Sequence, residues 1–121
     1  MSHFIITDAP VLGFCMNETR IFLLCGKELI KADKLTGTID NRIAIFEKDG
    51  KARLIRTNGA VLAVSDFCKL SVFRHDTLER LGEWNLGSDL SSDICGLFID
   101  EAFIYASIRN GKLIRFDLSD Y

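Results

Sequence analysis

One strand–turn–strand pattern recurs three times in this chain, and that recurrence restricts the fold more than any other feature. The segments are "VLGFCMNETRIFLLCGKELIKADKLTG" at 11–37, "ARLIRTNGAVLAVSDFCKLSVFRHDTLE" at 52–79 and "ICGLFIDEAFIYASIRNGKLIRFDLSD" at 94–120. Each reads as strand, tight turn, strand, short turn, strand. The leucines that open the third strands, Leu29, Leu70 and Leu113, stand 41 and 43 residues apart. The middle strands end at Cys25, Ser65 and Ser107, 40 and 42 residues apart. Between the copies lie further strand candidates, "RIAIFE" at 42–47 and "RLGEWNL" at 80–86. "HFIITD" at 3–8 supplies a matching piece before the first copy, with Phe4 42 residues before Phe46 and Asp8 41 before Asp49.

A period near 41 residues with four strands per unit is the pattern of a propeller blade. The expected fold is all-β: three four-stranded blades, half a propeller, completed by oligomerisation. The units run approximately over 3–41, 42–80 and 81–121, with residues 3–8 as a closing outer strand. A lone four-stranded blade cannot bury both faces, so its apolar faces stack on neighbours. The middle strands "IFLLC", "VLAV" and "FIYA" are accordingly apolar without alternation. A competing reading takes residues 18–34 and 66–81 as amphipathic helices of a small α/β domain with a ligand-binding role. The repeat favours strands, because both segments align with the third, where Asn110-Gly111 forms a natural hairpin turn.

These residues resemble WD40-type repeats. "SIRNGKLIRFDLSD" and "VSDFCKLSVFRHDTLE" are similar to that family's strand–turn–strand piece, and "KELIKADKLTG" matches its strand followed by D-x-x-T-G. The resemblance covers nearly the whole chain and implies a protein-interaction scaffold. In that family an outermost strand at the start of the chain completes the final blade, the role expected here of residues 3–8. The sequence departs from the pattern where the family's Trp before Asp is replaced by Ala32, Phe73 and Phe116. The sole Trp, Trp84, falls on an outer strand, and the family's Gly-His pair is absent. Ser65 with Asp66, and Ser107, retain parts of the family's structural hydrogen-bond network, so the resemblance makes them structural rather than catalytic.

Composition excludes several other classes. The 48% hydrophobic and 26% charged content is globular. A net charge of −2 with no Lys/Arg run longer than two residues argues against nucleic-acid binding. The apolar runs "FIITD" and "IFLLC" are too short for a signal-peptide core or a membrane span, so a cytoplasmic or nuclear location without a membrane anchor is expected. Cys15, Cys25, Cys68 and Cys95 form no CxxC pair, and neither His3 nor His75 lies near a pair of cysteines, so no metal site is expected. The cysteines read as reduced, with Cys15, Cys25 and Cys95 packed in apolar strands and Cys68 beside a turn.

No phosphate loop, nucleophile elbow or metal motif is present. "SDLSSD" at 88–93 reads as a turn capped by its own side chains, and His75-Asp76 would point to opposite faces of a strand. The expectation is a non-enzyme with no cofactor and no catalytic residues. By the resemblance, one face is formed by the loops joining blades together with the turns between second and third strands. The candidate interaction residues there are Asp49, Lys51, Asp66, Phe67, Asp89, Asp93, Arg109 and Asn110, with Phe67 an aromatic anchor in a tight turn. Three blades leave open apolar faces and strand edges. The expected partners are therefore proteins: a second copy that closes a ring, or another propeller chain that this one completes.

Overall fold

The computed structural model describes residues 6–7, 9–47 and 53–119. These residues carry eleven strands in three antiparallel sheets. The first sheet has the order β1 (Val11–Met16), β2 (Arg20–Cys25), β3 (Glu28–Asp33), β4 (Ile39–Ala44). The second repeats it with β5 (Arg53–Thr57), β6 (Val61–Asp66), β7 (Lys69–Arg74) and β8 (Arg80–Asn85). The third has β9 (Ile94–Ile99), β10 (Phe103–Ile108) and β11 (Leu113–Asp117), preceded by a short 3-10 turn at Leu90–Ser92. Of the expected closing strand, residues 3–5 and 8 lie outside the described residues.

The alternative helices at 18–34 and 66–81 are corrected to β2–β3 and to β7 running into β8. Two-residue turns cause this. Cys25 pairs with Glu28 and Asp66 with Lys69, and the first residues of the two turns, Gly26 and Phe67, have φ of 58° and 54°. A left-handed residue ends any right-handed helix at that point. The first outer strand begins earlier than the expected 42–47, at Ile39, whereas the second begins at Arg80 as expected. Gly37, at φ 73°, closes a turn in which its N–H donates to the Asp33 carbonyl at 2.9 Å and the Asp33 N–H donates to Thr38 at 2.8 Å. Pairing therefore resumes at once, and Ile45 and Phe46 leave the ladder to donate their N–H groups to the Lys27 carbonyl.

The core lies between sheets. Phe22, Leu24 and Leu29 of the first sheet pack with Ile55, Leu62, Val64, Phe73 and Leu78 of the second. Ala63, Leu70 and Val72 on the other side of the second sheet pack with Ile94, Leu97, Ile104 and Ala106 of the third. Leu62 and Val64 thus face one way and Ala63 the other, which is why β6 reads as a continuous apolar run. Burying one large aliphatic or aromatic side chain stabilises by about 1.5–3 kcal/mol. A single sheet taken alone would lose most of that.

Candidate interaction face

One end of the three sheets is knitted together by turns. The Arg53 guanidinium donates to the Gly26 carbonyl at 2.7 Å, joining the β2–β3 turn to the start of β5. The Leu86 N–H donates to Cys68 and the Ile94 N–H to Phe67, both at 2.8 Å, tying the β6–β7 turn to the connection between the second and third sheets. The Arg109 and Asn110 N–H groups donate to the Asp93 and Ser91 carbonyls, fixing the β10–β11 turn to the same connection. Asp66, Phe67, Asp89, Asp93, Arg109 and Asn110 are thereby carried on this end, while Asp49 and Lys51 lie outside the described residues.

Phe67 is the most unusual of these residues. Its ring is 44% exposed although its backbone is left-handed. A side chain in that conformation costs roughly 1–2 kcal/mol. Leu78 shows the alternative outcome. At φ 62° it takes the position that Gly37 holds in the first sheet, but its side chain is buried in the core between sheets. Burial covers the strained residue almost fully at Leu78, whereas Phe67 stays 44% exposed.

Beside Phe67 lies a residue that the sequence did not single out. Arg53 has only 2% of its side chain exposed, and its guanidinium lies 3.5 Å from the Phe46 ring centroid. Its Nε donates to Asp66 Oδ1 at 3.0 Å. The first and third sheets place Cys25 and Ile108 where the second has Asp66. A cation and an anion at facing strand ends, in a repeat that is otherwise apolar there, was the available signal. Phe46, Arg53, Asp66, Phe67, Lys69 and Glu83 line a cleft of about 390 Å³ between the first two sheets. Its charges of both signs and its two rings suit contact with a polypeptide.

The remaining polar groups serve turns. Asp89 accepts from the Ser91 N–H and hydroxyl and from the Ser92 hydroxyl. The Ser91 hydroxyl above all holds the Asp89 carboxyl below the ordinary carboxylate range. Asp76 is engaged by the Arg74 guanidinium and the Thr77 N–H rather than by His75. The Ser65 hydroxyl accepts from the Leu54 N–H at 3.1 Å. Ser107 stands opposite Gly96, where a Cβ would come within 2.5 Å of its Oγ.

No protein-family model and no curated protein matches the sequence. Solved structures do match. The structure of U3-55K superposes with a TM-score of 0.76 at 13% identity, over 94% of this chain and 38% of that one. The WD40 repeats of RRP9 give 0.76 at 14% identity, over 94% and 37%. The chain has the WD40 propeller-blade fold. A computationally designed protein, Ika8, has the same arrangement at 12% identity and a TM-score of 0.71, over 89% of this chain and 33% of that one. These blades span little more than a third of the length of the chains they match.

Proposed function

We propose that this chain is a non-catalytic protein-interaction module of the cytoplasm or nucleus, presenting the turn end of its blades to a protein partner. Phe67 anchors that contact, with Asp66, Asp89, Asp93, Arg109 and Asn110 around it; Asp49 and Lys51 are proposed with them from the sequence alone. The observation that carries this reading is the exposed ring of Phe67 on a left-handed backbone, where the equivalent turn of the first blade uses glycine. Strained backbone conformations cluster at sites of contact and function. Aromatic anchors of this kind dominate interface energetics. The capped Asp89 turn and the outward pairing of Asp76 support a role without catalysis.

The module works inside a larger ring of blades, to which a second copy or another propeller chain can contribute. Blade stacking supports this, since each internal blade face here is covered by its neighbour. The test is affinity capture with wild-type protein and with Phe67→Gly and Arg109→Ala variants of unchanged circular dichroism. Capture of a defined partner by the wild type, lost in Phe67→Gly, is expected. Equal capture by all three would overturn the assignment of this face.

A further inference from the structure

The cleft between the first two blades contains one polar group that the fold leaves without a partner. Ser71 of β7 lines it and is 9% exposed, and its hydroxyl makes no hydrogen bond among the described residues. The charged side chains around it are paired with one another. Arg53 holds Asp66 at 3.0 Å, Arg80 holds one Glu83 oxygen at 2.9 Å, and Lys69 stands 4.0 Å from the other. A hydroxyl withdrawn from water without a hydrogen bond is unfavourable, and native structures carry few of them.

The repeat shows that the fold does not need a hydroxyl at this position. Ile30 follows Leu29 in the first blade and Ile114 follows Leu113 in the third, as Ser71 follows Leu70 in the second. In the first blade Ile30 packs with Leu23 and Cys25, and Ile6 packs against them. The second blade has Val64, Asp66 and Ser71 at the same places in the strand pairing. Its face has therefore exchanged two apolar side chains for polar ones. Arg53 accounts for Asp66, whereas nothing among the described residues accounts for Ser71.

We infer that Ser71 is the hydrogen-bonding point of a peptide subsite. A short extended segment of the partner sets an uncharged amide on the Ser71 hydroxyl and an apolar side chain against the Phe67 ring. This deepens the reading of this end of the blades as a protein-binding face and rests on it. Three features select the ligand. A hydroxyl both donates and accepts, and so does an amide. With Glu47, which is exposed, the three cations of the cleft face three anions, so a charged ligand gains no net attraction. The volume of about 390 Å³ falls within the roughly 300–1,000 Å³ of ligand sites, which suits a segment of chain.

The test uses the purified full chain and short random peptides displayed on phage. Peptides selected on the wild type are synthesised, and fluorescence polarisation measures their affinity for wild type, Ser71→Ile, Ser71→Ala and Phe67→Gly. Ser71→Ile installs the residue of the other two blades. It is expected to leave the urea midpoint no lower while weakening peptide binding by about tenfold or more, because it removes the hydroxyl and fills the cleft. Ser71→Ala removes the hydroxyl without adding bulk, which guards against a folding defect. It is expected to weaken binding by about three- to tenfold, the effect of one neutral hydrogen bond. Equal affinity of wild type and Ser71→Ala would overturn the inference. So would a selection that enriches no peptide, or one that enriches charged peptides whose binding falls away with salt. Binding lost in Phe67→Gly but kept in both Ser71 variants would remove this inference and leave the interaction face standing. Binding kept in all three variants would remove both.

Discussion

Arg53 and Asp66 form an ion pair whose cation is buried and whose anion is one-quarter exposed, with 3.0 Å between Arg53 Nε and Asp66 Oδ1. The pair closes the open end of β5–β6 at the floor of the cleft beside Phe67. It joins the first two blades, because the same guanidinium bonds the Gly26 carbonyl and lies on Phe46.

Removing only the anion leaves a buried charge with less compensation. Asp66→Ala is expected to destabilise by on the order of 3 kcal/mol. Arg53→Met/Asp66→Ala should recover a large part of that, because Met can fill the space over Phe46 without a charge. Urea denaturation of the single and double variants measures both. A double variant less stable than Asp66→Ala would show that the guanidinium contributes mainly through Gly26 and Phe46.

Leu78 offers a test of the opposite kind. Its left-handed backbone favours glycine, yet its side chain is buried between the first two blades. Leu78→Gly should relieve the backbone and still lose about 2–4 kcal/mol overall, because the cavity term is larger than the strain term. A gain in stability by denaturant melting would contradict the packing described for that junction.

The repeat, the strand order and the inter-blade core were legible in the sequence because spacing and unbroken apolar runs encode them directly. Phase and side-chain partners were less so. Ile43, Ile45 and Phe46 form a nearly continuous apolar stretch, which drew the outer strand three residues too far along, and only the turn at Gly37 sets its true start at Ile39. Cys95 was expected to be buried because "ICGLFI" is apolar, but alternation along β9 leaves it exposed. Arg53 and Asp66 are 13 residues apart, so only strand pairing brings them together. Phe67 was visible as an aromatic in a turn, but its left-handed backbone was not.

The thiols should therefore react in a defined order. Burial pushes Cys15 up to about 12, partly opposed by Arg56, and burial together with Glu28 raises Cys25. A raised value keeps both as unreactive thiols at neutral pH. Cys95 is exposed. Titration with a thiol reagent at pH 8 is expected to show one fast thiol that disappears in Cys95→Ser. A fast phase that survives this substitution would place the accessible thiol elsewhere.

Acid should weaken the turns. Backbone N–H groups of Thr36 and Leu35 lower Asp33, and the Ser119 N–H lowers Asp117. The Ser91 hydroxyl lowers Asp89, and the Arg74 guanidinium lowers Asp76. A carboxyl depressed in the folded state contributes stability that is present above its unfolded value, near 4, and lost as pH falls through the folded value. The urea midpoint should be insensitive to these groups from pH 7 to about 5 and fall below about pH 4. A midpoint that rises on acidification below pH 4 would contradict this.

The most direct measurement of whether Phe67 serves contact rather than the fold is the unfolding free energy of Phe67→Gly against wild type. Glycine removes the left-handed penalty but adds chain entropy to the unfolded state and gives up the ring's partial burial, so a net change within about 1 kcal/mol of zero is expected. A loss of 2 kcal/mol or more, the range for removing a packed aromatic, would mean that the ring holds the blade end together, and the account of this face as an interaction surface would be contradicted.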